Sequence, residues 1–222
     1  MIKIILDKAL DKEVYLDFFD YKIGGMDFGG LIKRDHPTIN KENHEEYINK
    51  FYKENEEELG EKLVELNSSI EETQEIFFKV LEKIFDYDFS NKDYGGALSI
   101  FDCNPRYLEE ETFQVYYKRG PLNKRKVAYH EVLHFIFFGY CDNNLSDLVS
   151  DLDKNNGPYW ALSEIFNVIV LNLVELQDFL KDPEGMFYPD LKKVYPEVEE
   201  IWKNSNGNIR EFVEKSLEVL KK

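Results

Sequence analysis

The first ninety residues contain short segments in which apolar and polar residues alternate, and longer stretches rich in charged residues. Apolar and polar residues alternate over residues 2–6 and 13–19, which predicts two short strands. Apolar positions recur sparsely among the charged residues 43–59 and predict an amphipathic surface helix. Each serine of the pair at 68–69 precedes a glutamate by three residues, so a capping box is predicted to start a helix that ends near residue 85.

Two further strands and two closing helices are predicted later in the chain. Residues 97–101 and 112–118 are typical of strands and are separated by a loop that contains Pro105. Apolar residues recur at helical spacing in residues 191–202 and 209–220, which predicts helices that pack against a core. This mixture of strands and helices is typical of an α+β protein.

Two almost entirely apolar runs stand out between these elements. Residues 127–141 contain a single formally charged residue, Glu131, and Gly139 is predicted to end their helix. Residues 158–174 also contain a single charged residue, Glu164, and begin with a proline suited to the first turn of a helix. Helices this apolar must be buried, so each carboxylate needs a partner.

The overall composition argues against several functions. The net charge of −16 disfavours broad binding to nucleic acid or anionic membranes, since both require basic surfaces. The two cysteines, Cys103 and Cys141, are too few for a disulfide framework. Residues 1–14 carry charges within and after a very short apolar run, unlike a signal peptide. No segment offers 18 apolar residues flanked like a membrane span, and residues 159–174, which come near, are interpreted as a buried helix. We therefore expect a cytoplasmic protein with no nucleic-acid or membrane partner.

The first apolar run contains the motif HExxH, formed by His130, Glu131 and His134. Histidines four residues apart lie on one face of a helix, so both imidazoles can bind one ion. Zinc accepts neutral imidazole nitrogens at about 2.0–2.1 Å. Glu131 lies roughly 100° around the helix from His130, beside the metal-facing side, where its carboxylate can polarise a water molecule. The motif therefore predicts metal-assisted hydrolysis.

A catalytic zinc site keeps three protein ligands and one open position. Glu164 is predicted as the third ligand, because a metal ion would give its buried carboxylate a partner. His36 and His44 lie far upstream in a polar stretch and are disfavoured. The loop between the two apolar runs supplies rival carboxylates in solvated surroundings, namely Asp142, Asp147, Asp151 and Asp153.

His130, Glu131, His134 and Glu164 together resemble the pattern of the gluzincin clan of zinc metallopeptidases. In that clan an HExxH active-site helix is followed by a glutamate helix that supplies the third ligand. The resemblance covers residues 93–181 and is closest to the small, single-domain members. It implies a bound Zn²⁺ and the hydrolysis of peptide bonds in a peptide or protein substrate.

The resemblance also implies a zincin-like α+β fold. A small mixed sheet is expected to pack on the active-site helix and the glutamate helix, with additional N- and C-terminal helices. Residues 91–222 would form this core, and residues 1–90 a strand and helix region beside it or within the same domain. An edge strand above the cleft would leave Gly95-Gly96 accessible to a peptide backbone. The chain departs from the clan at Val168, where many members have an acidic residue, and Asn167 is the nearest polar substitute.

Roles for the site residues follow from this pattern. Zinc is expected to be held by the two motif histidines and Glu164, while Glu131 acts as general base and then as general acid. A further donor would stabilise the developing oxyanion. Tyr159, next to the glutamate helix, is the first candidate for that donor, and Tyr140 and Tyr188 are others.

Two other interpretations stay open. In one, the zinc has a structural or regulatory role and the protein has no peptidase activity, which the departure at Val168 favours. In the other, the chain is a helical interaction module whose HExxH arose by chance. The two histidines would then be hydrogen-bonded core residues, and Glu131 would form a salt bridge with a lysine or arginine.

Overall fold

The computed structural model describes residues 1–89 and 92–221. The strands are β1 (Ile2–Leu6), β2 (Lys22–Ile23), β3 (Met26–Asp27), β4 (Tyr94–Ser99), β5 (Arg106–Tyr107) and β6 (Thr112–Tyr116). The helices are α1 (Lys8–Phe18), α2 (Phe28–Asp35), α3 (His44–Glu54), α4 (Glu56–Glu71), α5 (Gln74–Phe85), α6 (Pro121–Asn144), α7 (Ser146–Val149), α8 (Gly157–Leu171), α9 (Val174–Leu180), α10 (Tyr195–Asn204) and α11 (Ile209–Leu220), with a 3₁₀ turn over Pro189–Lys193. The α+β class and the small mixed sheet agree with the prediction from the sequence.

The main sheet has the strand order β1-β4-β6-β5. Strands β1, β4 and β6 are parallel, and β5 pairs with β6 in the antiparallel sense. Ile4, Gly96 and Phe113 are aligned across the three parallel strands. A Cβ atom on Gly96 would lie 2.7 Å from Ile4 Cδ1 and 2.7 Å from Phe113 Cζ, so glycine is required here by packing.

The expectation that Gly95-Gly96 lies on an edge strand is wrong. Strand β4 pairs with β1 on one side and with β6 on the other, so its backbone groups belong to the sheet. The free edge of β1 is itself covered by side-chain amides. Gln74 Oε1 accepts from the N–H of Ile2 at 2.9 Å, and Asn67 Oδ1 accepts from the N–H of Ile4 at 2.9 Å.

Three local predictions from the sequence are also corrected. Residues 13–19 do not form a strand, because α1 covers Lys8–Phe18 and buries Val14 and Tyr15 on one helical face. The serine pair at 68–69 lies inside α4 and does not start a helix. Gly139 does not end the active-site helix, since α6 continues to Asn144. An isolated glycine weakens a helix without ending it when the surrounding side chains are buried.

Two compact units are present, and each takes residues from both sides of position 90. One comprises Met1–Glu75 with Asn91–Glu131, and the other comprises Ile76–Ser90 with Val132–Lys222. The division at residues 90 and 91 expected from the sequence does not coincide with these units, and it stays a prediction about domains.

A buried carboxylate organises the first unit. Asp11 on α1 is fully buried, and it accepts hydrogen bonds from Ser99 Oγ at 2.5 Å and from the Tyr52 hydroxyl at 2.6 Å. It also accepts from Gln114 Nε2 at 3.2 Å and from the N–H of Ile100 at 3.2 Å. These donors tie α1 to α3, β4 and β6. Burial nevertheless raises the pKa of Asp11 to about 6.

Helix α8 is the most apolar helix of the second unit. All of its residues from Tyr159 to Leu171 are buried. Within residues 1–89 and 92–221, no single helix has both the length and the apolar composition needed to cross a membrane. Taken together, α8 and α9 meet that criterion as a pair bent by 73°.

Candidate metal centre

The first turns of α6 are fastened by polar contacts within their own unit. Lys124 Nζ lies 2.9 Å from Glu65 Oε2, and the lysine side chain is completely buried. Arg125 Nη1 donates to the carbonyl of Ser69 at 3.2 Å. The Tyr129 hydroxyl, immediately before His130, lies 2.7 Å from Thr73 Oγ1. The HExxH motif therefore starts in a helix that is already fixed in position.

The start of α8 is defined by its local sequence. Asn156 Oδ1 accepts from the N–H of Gly157 at 2.7 Å. Gly157 has φ +72°, a backbone conformation that glycine adopts readily, and Pro158 fits the first turn. The apolar residues that follow bury the helix on all sides, and they place Glu164 near its middle with its side chain 3% exposed.

His130, His134 and Glu164 come together to form a group that can hold a metal ion. One ligand atom from each residue lies within 4.8 Å of the others. His134 Nε2 is 3.5 Å from Glu164 Oε1. Two ligand atoms bound to one tetrahedral zinc ion at about 2.0–2.1 Å lie about 3.4 Å apart, so this pair already has the required spacing. The donor set of two imidazoles and one carboxylate also suits zinc.

The three ligands differ in their access to solvent. His134 is fully buried and Glu164 is 2% exposed, whereas His130 is half-buried. Solvent therefore reaches the group at His130. Glu131, the next residue along α6, is 6% exposed and keeps its carboxylate out of bulk water.

Aromatic rings surround the buried ligand His134. Its imidazole stacks on Phe138, one turn further along α6, with ring centroids 5.9 Å apart and an interplanar angle of 18°. The Tyr159 ring meets Phe138 edge-on at 4.8 Å. Phe138 was missed by the sequence interpretation, although its position four residues after His134 on a buried helix was a usable signal.

Tyr159 is not part of the ligand group. Its hydroxyl lies 3.5 Å from Asp142 Oδ1, two helical turns beyond His134, and burial raises the pKa of the phenol. Tyr140 packs on Phe85 with ring centroids 4.8 Å apart, and Tyr188 packs on Trp160 at 4.9 Å. A role for any of these tyrosines in oxyanion stabilisation stays a prediction.

The rival aspartates make contacts away from the ligand group. Asp142 forms an ion pair with Lys154, and Asp147 forms one with Arg210. Asp153 Oδ1 accepts from the N–H of Asn155 at 2.8 Å, and Asp151 is exposed. The carboxylate of the metal-binding group is therefore that of Glu164.

Positions 167 and 168 of α8 are both interior. Asn167 is fully buried and Val168 is 3% exposed. The position where many gluzincins have an acidic residue is thus a core position here, filled by an apolar side chain. The one polar side chain in that turn is the amide of Asn167.

The sequence matched no model of a known protein family and no curated protein, and the structure matched no solved structure. The function proposed below therefore rests on the chemistry of these residues.

Proposed function

We propose that this protein is a zinc-dependent peptidase. The convergence of His130, His134 and Glu164 on one point, with Glu131 on the same helical turn, supports this proposal most directly. Two histidines and one carboxylate form a ligand set of catalytic zinc sites in which a fourth position stays open. Closed structural sites use four protein ligands, often with cysteine. Among the residues described here, the group comprises three ligands and no cysteine.

Each residue of the group has a defined task in this proposal. The two imidazoles and the Glu164 carboxylate would hold the ion. Bound zinc supplies a Lewis acid that acidifies water and polarises a carbonyl group. Glu131 accepts the proton of the attacking water and then delivers it to the amine nitrogen of the leaving product. Glu131 is buried beside the metal-binding group, so bulk water does not compete for its carboxylate.

The open side of the group determines how a substrate approaches. His130 is the half-buried ligand, so we infer that the scissile peptide enters beside it. With a net charge of −16, the protein suits a peptide or protein substrate better than nucleic acid or an anionic membrane surface. We further propose that it works in the cytoplasm.

Metal content and peptide cleavage test the proposal in two stages. Elemental mass spectrometry on protein purified without chelator or metal-affinity tag should find about one zinc per chain in the wild type, and much less in Glu164→Ala. Ser163→Ala is a matched control, since it removes a neighbouring buried side chain that bonds to the carbonyl of Trp160. Iron in place of zinc, or no metal after reconstitution, would overturn the proposal.

Cleavage is then measured on a peptide library with the zinc-loaded protein. Products should appear with wild type and Ser163→Ala, and should vanish when zinc is removed with a chelator. Zinc at one per chain with no cleavage of any peptide would favour the structural or regulatory alternative. Loss of the folded state on chelation would strengthen that alternative further.

A further inference from the structure

Three stacked and edge-packed rings lead from the metal-binding group to the first turn of α8. All three rings are buried: the exposed fraction is 0% for His134, 2% for Phe138 and 0% for Tyr159. Water therefore does not compete for their contacts. The first two rings stack along α6, and the third meets the middle ring edge-on from α8. Each of these geometries is favoured by the aromatic quadrupole. We call these three residues the aromatic clamp.

The outer end of the clamp is anchored by polar groups. The Tyr159 hydroxyl donates to Asp142 Oδ1 at 3.5 Å. Lys154 forms an ion pair with Asp142 and places its ammonium 5.9 Å from the centre of the Phe138 ring. Tyr159 is therefore held by the hydrogen bond of its hydroxyl and by its ring contact with Phe138.

The clamp includes the buried ligand His134, and its other two rings lie about one helical turn from the contact between His134 and Glu164. Moving forward along α6 from His134 to Phe138 corresponds to moving backward along α8 from Glu164 to Tyr159, so these helical segments run antiparallel. Four residues of helix correspond to about 6 Å. The contact between Phe138 and Tyr159 thus helps to set the separation of α6 and α8 about one turn from the two ligand atoms.

We propose that Tyr159 is a positioning residue that sets the metal-binding geometry of His134 through the ring of Phe138. This proposal rests on the metal centre proposed above. Zinc–ligand distances must be correct to about 0.2 Å. In the metal-free protein, packing of the surrounding side chains has to maintain the 3.5 Å distance between His134 Nε2 and Glu164 Oε1. Phe138 and Tyr159 supply that support, because the Phe138 ring stacks on the imidazole and Tyr159 holds that ring from α8.

Binding of the metal alone tests the clamp. Zinc affinity is measured by competition with a chromogenic chelator, and the visible absorption of the Co²⁺-substituted protein reports the coordination geometry. Tyr159→Leu and Phe138→Leu should weaken zinc binding by about 10–100-fold, the usual effect of losing a residue that orients a metal ligand. Both variants should also alter the Co²⁺ spectrum. Tyr159→Phe keeps the ring and should bind zinc more tightly than Tyr159→Leu.

Phe212→Leu is the matched control for loss of a buried aromatic ring. Phe212 lies on α11, is fully buried, and packs on Trp202 with ring centroids 5.2 Å apart. This variant should lose thermal stability while keeping the zinc affinity and Co²⁺ spectrum of wild type. Wild-type affinity in Tyr159→Leu, or an equal loss of affinity in Phe212→Leu, would overturn the positioning role. If Tyr159→Leu does not fold, the zinc affinities of Phe138→Leu and Phe212→Leu are compared instead, and equal affinities would overturn the positioning role.

Failure of the clamp and failure of the proposed function give different results. A wild-type protein that binds zinc but cleaves no peptide contradicts the peptidase proposal, while the affinities of the variants still decide the role of Tyr159. A wild-type protein that binds neither zinc nor Co²⁺ overturns both.

Discussion

His134 Nε2 lies 3.5 Å from Glu164 Oε1, and both side chains are almost completely buried. A carboxylate withdrawn from water requires a compensating partner. A metal ion bound by these two atoms and His130 would be such a partner in the zinc-loaded protein. Much of the metal-binding geometry is thus present in the folded chain before any ion binds.

Zinc should therefore stabilise the folded protein. At a free zinc concentration about 100 times the dissociation constant, a ligand that binds only the native state adds about 2.7 kcal/mol to the free energy of unfolding. The midpoint of thermal unfolding should rise accordingly for wild type and Ser163→Ala, and it should change little for Glu164→Ala. An equal rise in Glu164→Ala would place the bound zinc elsewhere.

Glu131→Gln should separate proton transfer from metal binding. The amide keeps the size of the side chain but cannot accept a proton, so kcat should fall by about 10²–10⁴-fold while the zinc content stays at that of wild type. Glu175→Gln, which makes the same change at an exposed position on α9, should leave both unchanged. Wild-type cleavage by Glu131→Gln would show that another group is the base.

Two adjacent glycines of β4 should respond in opposite ways to alanine. In Gly96→Ala the new methyl group would lie 2.7 Å from atoms of Ile4 and Phe113, both of which are buried, so the free energy of unfolding should fall by about 1–3 kcal/mol. In Gly95→Ala the methyl group enters open space, and the loss of chain entropy in the unfolded state should leave stability unchanged or higher. Denaturant titration of the pair measures the difference. Equal losses would contradict the packing of Gly96 against the two neighbouring strands.

Asp11 should make the stability of the protein fall between about pH 4 and pH 6. Its pKa is about 6 in the folded chain against 3.8 for the ordinary side chain, because burial disfavours the charged form. The stabilisation is fully present below the lower value and is lost as the pH rises to the higher one. A shift of this size corresponds to about 3 kcal/mol, at 1.36 kcal/mol per pKa unit.

Asp11→Asn isolates this effect, because the amide does not titrate. Urea unfolding at pH 4, 5, 6 and 7 should show wild type losing stability relative to Asp11→Asn as the pH rises. Glu71→Gln, an exposed carboxylate on α4, gives the background trend. A difference between wild type and Asp11→Asn that does not change with pH would contradict the raised pKa.

The metal-binding group could be predicted because the signals for it lie within short segments of the sequence. The histidines are one turn apart on a single helix, and the lone charges of two apolar runs identify Glu131 and Glu164. The place of β4 inside the sheet could not be predicted, since strand pairing depends on contacts between distant segments. Residues 13–19 show why short patterns mislead: their alternation fits a strand, yet the burial of Val14 and Tyr15 together fits a helix face. The contact between Phe138 and Tyr159 depends on how α6 and α8 pack against each other. The spacing of residues within either helix does not reveal that packing.

The parallel pairing of β1 with β4 has a consequence for the order of events during synthesis. Ile2 and Leu6 take Tyr94 and Leu98 as their strand partners, so β1 leaves the ribosome long before β4 does. At about 5–20 residues per second, the wait is on the order of 4–18 s. Asn67 and Gln74, whose side chains bond to the other edge of β1, emerge earlier than β4. Helix α4, together with Gln74, can therefore cover the free edge of β1 before β4 is synthesised.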